Sequence, residues 1–144
     1  MIGIIVTGHG NFGTGLTSSL ELITGKHENY CAIDFIEGMN TEELANKYIE
    51  AIRNMSSCSG ILVLSDLAGG SPFKTAVTVA QSYANIEVIA GTNLPLLLEA
   101  SMMKNMDDDV TSFANKLINT AQESILRFDL VALKVQQVSS DDGI

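Results

Sequence analysis

The chain has 144 residues, the size of one ordinary domain, and 46% of them are hydrophobic, enough to fill a core. Its 17 acidic and 8 basic residues give a net charge of −9, which would repel a nucleic-acid backbone and excludes nucleic acid as an expected partner. No apolar run approaches the roughly 20 residues that span a bilayer, and no signal peptide is apparent. We therefore expect a cytoplasmic protein that does not insert into a membrane.

The residues that most often hold metals are few and scattered. Cys31 and Cys58 have no His or Cys close by in the sequence, which predicts two reduced thiols. A zinc site needs about four ligands, so we expect no metal and no cofactor. The acidic run at residues 107–109 predicts a solvated loop and the start of a helix.

The first half of the chain alternates two apolar strands with two helices. Residues 2–7 predict a strand, and a helix with one apolar face follows over residues 13–24 until Gly25 ends it. Residues 30–35 predict the second strand. Asn40 then predicts an N-cap for a helix that continues to about Met55.

The pattern continues past the midpoint of the chain. Residues 61–65 predict a third strand, and Ser71 predicts the cap of a third helix with Pro72 at its first position. Residues 86–90 predict a fourth strand, which ends in a turn at residues 91–93.

The C-terminal third is expected to contain two helices and a final strand. Residues 94–103 are apolar around most of a helix, which is typical of full burial or of a subunit interface. A fifth helix is predicted through residues 113–125 and a last strand at residues 128–133. We expect one domain over residues 1–135 and a loose acidic tail over residues 136–144.

Strands that alternate with helices predict an α/β fold with a mainly parallel four-stranded sheet and helices on both faces. Ligand sites in such sheets lie at the carboxyl ends of the strands. His9 follows the first strand and Asp66 follows the third. The sequence therefore predicts that the two side chains lie at the same edge of the sheet.

An imidazole beside a carboxylate can act as a nucleophile. The carboxylate accepts from one ring N–H, fixes the tautomer and leaves the other ring nitrogen free. Gly69, Gly70 and Ser71 precede a predicted helix, whose N–H groups and dipole would favour a phosphoryl group at His9. A lone histidine in a turn often has only a structural role, so both interpretations of His9 stay open on this basis alone.

Four segments resemble one known family. Residues 8–10, 32–35, 65–73 and 87–94 are similar, in the same order, to enzyme IIA components of the mannose family of the bacterial sugar phosphotransferase system. The resemblance implies a phosphoryl carrier that forms a homodimer by exchanging the last strand. It also implies that the helix at residues 94–103 lies in the interface.

The resemblance further implies that His9 accepts a phosphoryl group on Nε2 from the carrier protein HPr and passes it to a histidine of enzyme IIB. Asp66 would hold the other ring nitrogen. The membrane components IIC and IID would bind the sugar. Around His9 we predict that the phosphoryl group is bound by Gly10, Gly69, Gly70 and Ser71. We predict that the partner proteins contact Phe12, Leu67 and Thr92.

The branch of the family is suggested by three short pieces. Residues 7–10, the Asp66–Leu67 pair and residues 142–144 resemble most the N-acetylgalactosamine/galactosamine branch. In the mannose branch an aromatic residue typically follows the aspartate, whereas Leu67 and Ala68 are aliphatic. We expect this difference to affect the choice of partner and not the phosphoryl chemistry.

Three other functions compete with this prediction. A related domain feeds phosphate from the same histidine chemistry to dihydroxyacetone kinase. A signalling receiver domain would instead be phosphorylated on Asp66, but it needs an acidic pair after the first strand, where this chain has residues 7–9. A flavin- or nucleotide-binding module would need a GxGxxG or P-loop spacing that the first loop lacks.

Overall fold

The computed structural model describes residues 1–131 of the chain. Within that range strands and helices alternate from β1 to α4, and a short 3₁₀ turn (Lys104–Met106) separates α4 from a fifth helix, α5. In chain order the elements are β1 (Ile2–His9), α1 (Phe12–Thr24), β2 (Tyr30–Phe35), α2 (Thr41–Asn54), β3 (Gly60–Ser65), α3 (Ser71–Ala80), β4 (Ile86–Ile89), α4 (Leu94–Met103) and α5 (Val110–Gln122).

The sheet has the order β2-β1-β3-β4, and every neighbouring pair is parallel. This confirms the predicted α/β class. The order places β1 between β2 and β3, with Thr7 opposite both Ile33 and Ser65. His9 is opposite Phe35 at the carboxyl end of the same ladder. The first and third strands therefore end side by side.

The helices form one layer on each face of the sheet. One face packs against α1, α4 and α5 through a core of apolar side chains that includes Val6, Leu64 and Leu97. The other face packs against α2 and α3 through Ile5 and Val63. Because side chains alternate along a strand, Ile5, Thr7 and His9 share the α2 and α3 face.

Local signals set most of the helix ends. Asn40 caps α2, as predicted, by accepting the Glu43 N–H at 2.8 Å. Asp109 caps α5 by accepting the N–H groups of Thr111 and Ser112, so the acidic run does start a helix. Gly25 ends α1 with a φ of +80°, also as predicted.

Two predictions near the site need correction. The first strand continues two residues past Thr7, so His9 is its last residue and not part of a loop. Ser71 is the first residue of α3, not its cap. The cap is Gly70, whose extended backbone (φ −74°, ψ 163°) leads into the helix without a side-chain hydrogen bond.

The C-terminal predictions differ in outcome. The fifth helix ends at Gln122, three residues earlier than expected. No strand begins at Phe128: this residue and Asp129 lie in irregular structure, and residues 130–131 are helical. The rest of the predicted strand, residues 132–133, and the predicted tail lie outside the described residues, and the expected strand exchange stays a prediction.

Helix α4 is less buried than its composition suggests. Leu96, Leu97 and Ala100 face the core, whereas Met102 is 60% and Met103 41% exposed. None of the helices within residues 1–131 is long and apolar enough to span a membrane.

Candidate functional site

The structure brings His9 and Asp66 into direct contact. His9 ends β1 and Asp66 follows β3, its neighbour in the sheet. The Nδ1 atom of His9 lies 2.8 Å from Oδ2 of Asp66. The His9 side chain is 46% exposed and that of Asp66 only 15%, so the ring reaches solvent while the carboxylate behind it is mostly covered.

The Asp66 carboxylate is held by several donors. Its Oδ2 also accepts the backbone N–H of His9 at 2.9 Å, and its Oδ1 accepts the N–H of Leu67 at 2.7 Å. Partial burial alone raises the pKa of Asp66, but the hydrogen bonds from His9 and Leu67 outweigh it and place the pKa below its ordinary value of 3.8. Asp66 is therefore ionised at neutral pH.

An ionised carboxylate can only accept hydrogen bonds, so His9 Nδ1 is the donor in this pair. The neutral ring then carries its lone pair on Nε2, the nitrogen remote from the backbone. This is the tautomer that an imidazole needs to attack an electrophile through Nε2.

The contact between His9 and Asp66 requires a glycine at position 8. A Cβ atom at Gly8 would lie 2.8 Å from Cγ of Asp66 and 2.7 Å from Cδ1 of Phe12. Real Cβ atoms do not approach so closely, so any side chain at this position would push the carboxylate away from β1. The absence of a side chain at Gly8 thus allows Asp66 to reach His9.

The N-terminus of α3 lies against the His9 ring. A Cβ atom at Gly70 would lie 2.6 Å from Cε1 and 3.4 Å from Nε2 of His9. Gly69, with a φ of +80°, makes the turn that brings Gly70 and Ser71 to this place. The free ring nitrogen therefore lies next to a helix N-terminus, where backbone N–H groups and the helix dipole favour negative charge.

Two of the residues predicted to face a partner lie beside the site. Leu67 is 60% exposed beside Asp66, and Phe12 is half-buried at the start of α1. Leu67 follows Asp66 in the sequence and donates its N–H to that carboxylate, and Phe12 packs close to Gly8, the neighbour of His9.

Gly10 and Thr92 do not fit their predicted roles. The N–H of Gly10 donates to the carbonyl of Phe35 at 2.8 Å and is not available to a phosphoryl group; the N–H of Gly70 is likewise used, at the carbonyl of Leu67 at 3.2 Å. Thr92 is only 6% exposed, so it offers almost no surface to a partner. Its N–H donates to the carbonyl of Ser65, while its Oγ1 is buried without a hydrogen-bond partner among the described residues.

Sequence reasoning missed two aromatic residues near His9. The ring of Phe35 makes an edge contact with the His9 ring, with centroids 6.1 Å apart and planes at 73°. Tyr48 lies on the apolar face of α2, and its hydroxyl is bound beneath the site. Phe35 could have been found as the last residue of the next strand, whereas the role of the Tyr48 hydroxyl has no local signal.

Comparison with known proteins gives a consistent result. The family model described as "PTS system fructose IIA component" matches residues 3–118. The chain belongs to this family, the mannose-type enzyme IIA components of the sugar phosphotransferase system. Enzyme IIA components are phosphotransferases that act through a phosphohistidine.

Individual relatives of this enzyme IIA chain cover most of it. The mannose-specific EIIAB component of Escherichia coli K12 is 33% identical over 86% of the chain, which spans only 38% of that relative. The fructose-specific EIIA component of Bacillus subtilis 168 is 33% identical, covering 72% of the chain and 71% of the relative. A crystal structure of an EIIA component from Streptococcus agalactiae has 38% identity and a TM-score of 0.80, covering 89% and 98% of the two chains.

Proposed function

We propose that this enzyme IIA chain carries a phosphoryl group on His9, which it accepts from phospho-HPr and passes to a histidine of an enzyme IIB. The observation that carries the proposal is the His9–Asp66 contact, which leaves Nε2 free beside the start of α3. Among the described residues, the other histidine, His27, has no carboxylate within 4 Å of its ring nitrogens and is hydrogen-bonded to Thr24 instead.

The transfer exchanges one phosphorus–nitrogen bond for another. The lone pair on Nε2 of His9 attacks the phosphorus while the bond to the donor imidazole breaks, and its electron pair returns to the donor nitrogen. The proton on Nδ1 stays in place, and the Asp66 carboxylate stabilises the positive charge that develops on the ring. Gly69 and Ser71 offer N–H groups to the transferred oxygens at the start of α3. The N–H of Gly70 instead donates to the carbonyl of Leu67, and Gly70 contributes by its close approach to the His9 ring. The second transfer, to enzyme IIB, runs the same step in reverse.

Phosphorylation of Asp66 itself is disfavoured by its surroundings. In a receiver domain the aspartate carboxylate must attack phosphorus. Here one oxygen accepts two N–H groups of His9, and the other accepts the N–H of Leu67. The carboxylate thus orients His9, and both of its oxygens are already hydrogen-bonded to the protein.

Phosphate transfer from phosphoenolpyruvate through enzyme I and HPr tests the assignment of His9. We expect wild-type protein to take up an acid-labile, base-stable phosphate and the His9→Ala variant to take up none. His27→Ala is the matched control, because the chain has only these two histidines. His27 binds Thr24 at the far end of α1, about 20 Å along a 13-residue helix. Phosphate that persists in His9→Ala would contradict the proposal.

The acceptor and the sugar belong to the same proposal. We assign this chain to the N-acetylgalactosamine/galactosamine branch, acting with the membrane components IIC and IID from the cytoplasmic side. The relatives named above differ in the sugar of their names, which supports a carrier whose chemistry is independent of the sugar. Phosphorylated protein should transfer its phosphate to an enzyme IIB of this branch. Transfer to a dihydroxyacetone kinase subunit instead would assign it to that pathway.

We also propose that the chain is a homodimer. The segment after α5 carries a group of exposed apolar side chains on the last described residues, namely Ile125, Leu126, Phe128, Leu130 and Val131. Such a contiguous exposed apolar segment is typical of an interaction surface. Exchange of the C-terminal segment between two copies would bury it.

A further inference from the structure

A buried chain of hydrogen bonds lies one layer beneath His9. Oγ1 of Thr7 is 2.9 Å from the hydroxyl oxygen of Tyr48, and that hydroxyl donates to the carbonyl of Pro72 at 3.1 Å. Thr7 is 0% and Tyr48 1% exposed, so solvent cannot replace either bond. These hydrogen bonds connect β1, α2 and the first turn of α3.

The direction of these bonds follows from the groups involved. A carbonyl oxygen only accepts, so the single hydroxyl proton of Tyr48 is used at Pro72. Thr7 must therefore donate to the Tyr48 oxygen. Each hydroxyl of the chain has one defined role, and removing the Tyr48 oxygen would leave the Thr7 donor and the Pro72 acceptor without these partners.

These hydrogen bonds lie directly beneath the site. Thr7 is two residues before His9 on β1, so both side chains lie on the same face of the sheet. Pro72 is two residues after Gly70, which packs against the His9 ring. The hydrogen-bonded chain thus spans the distance between β1 and α3 directly below the place where His9 meets the start of α3.

We propose that Tyr48 is a positioning residue: through its hydroxyl it sets the distance between Nε2 of His9 and the N–H groups at the start of α3. This inference rests on the proposed phosphorylation of His9. Because Tyr48 is buried, it touches neither HPr nor enzyme IIB. Its loss should affect the transfer step and leave the docking of the partner unchanged.

The test is the kinetics of phosphorylation by phospho-HPr in the Tyr48→Phe variant. We expect kcat to fall about five- to tenfold, as for the loss of a hydrogen bond or two, while KM for phospho-HPr stays the same. Tyr30→Phe is the matched control: its hydroxyl is also hydrogen-bonded, to Thr17 at 2.6 Å, but at the opposite end of the sheet. Tyr30→Phe should keep the wild-type kcat.

Thr7 provides an independent test if Tyr48→Phe folds poorly. Thr7→Val removes the hydroxyl and keeps the shape, so it should lower kcat as Tyr48→Phe does. Thr7→Ser restores the hydroxyl and should restore kcat. If Thr7 acted only by packing its methyl group, the serine variant would be no better than the valine variant, and this result would overturn the inference.

The outcomes separate this inference from the function on which it rests. If wild-type protein takes up no phosphate on His9, the proposed function fails. If wild-type protein is phosphorylated and Tyr48→Phe has the same kcat as Tyr30→Phe, only the positioning role fails. An unchanged kcat with a raised KM would also reject it, because it would indicate a role in docking.

Discussion

At the scale of single residues, the site depends on how closely glycines let other groups approach His9. Gly70 has a φ of −74°, which any residue can adopt. Glycine is therefore needed at this position because of the close approach of the His9 ring, and not because of backbone strain. The methyl group of an alanine there would meet the His9 ring. Gly70 is therefore expected to matter for phosphorylation more than for folding.

We predict that Gly70→Ala reduces the rate of His9 phosphorylation about ten- to a hundredfold, because a small displacement of reacting groups has effects of that size. Gly15→Ala on α1 is the control, since nothing lies within 4 Å of its Cβ position. Initial rates with phospho-HPr and thermal unfolding would be measured for both. A normal rate in Gly70→Ala would show that the ring can move aside without cost.

The carboxylate of Asp66 should be equally important. Asp66→Asn replaces a charged acceptor, and hydrogen bonds to charged groups contribute about 1.5–3 kcal/mol, or roughly a ten- to hundredfold change in rate. We expect phosphorylation to slow by this factor in a folded protein. Asp34→Asn is the control, because Asp34 also lies near the carboxyl end of a strand but binds Thr14 and not His9. Equal rates in the two variants would remove Asp66 from the mechanism.

The lowered pKa of Asp66 also predicts a pH dependence of stability. The pKa in the folded state is below the ordinary value of 3.8, so the ionised form stabilises the fold above that pH. This contribution is lost as the pH falls from 3.8 through the folded-state pKa. The free energy of unfolding of wild type and Asp66→Asn, measured by urea titration from neutral to acidic pH, should converge in that acidic range. A constant difference would contradict the assignment.

At the scale of elements, the helix starts divide into two groups. The starts of α2, α4 and α5 have capping side chains, from Asn40, Asn93 and Asp109. The helices that start nearest His9, α1 and α3, have no hydrogen bond from a cap side chain. First-turn N–H groups of α3 thus remain available for the oxygens of a phosphoryl group.

The capped helices should lose stability when the cap is removed. We predict that Asn40→Ala lowers the free energy of unfolding by about 1 kcal/mol, because the Glu43 N–H loses its acceptor. Asn46→Ala, in the exposed interior of the same helix, is the control and should not destabilise the protein. Urea unfolding measures both. Phosphorylation of His9 should stay normal in each, since neither side chain contacts the site.

At the scale of the whole molecule, the described fold leaves apolar surface after α5 uncovered. Leu126 is 81% and Phe128 70% exposed, although the chain carries a net charge of −9 and has ample polar residues for its surface. This combination supports the proposed dimer. The mass of one chain is 15.4 kDa, so a dimer is easily resolved.

We predict that sedimentation equilibrium gives twice the chain mass and that the double variant Leu126→Asp, Phe128→Asp sediments as a monomer. The charges would have to be buried without partners in the interface, which is costly. Leu22→Asp is the control, because Leu22 is 90% exposed on α1, outside this segment. If both variants stay dimeric, the interface lies elsewhere, and a monomeric wild type would reject the dimer.

The sequence by itself determined the class of fold, four strands and their parallel pairing. These features follow from local patterns: apolar runs, helical periodicity, and turn residues such as Gly25 and Asn40 that act on their immediate neighbours. They also sufficed to place His9 and Asp66 at one edge of the sheet, because carboxyl ends of parallel strands coincide.

Only the tertiary structure decided which atoms meet. The strand order makes His9 and Asp66 neighbours, commits the N–H of Gly10 to Phe35 and buries Thr92. It also places the Tyr48 hydroxyl between two elements far apart in the chain. A hydrogen bond needs its partners within about 3 Å, and that proximity arises from packing between distant segments, which local propensity does not specify.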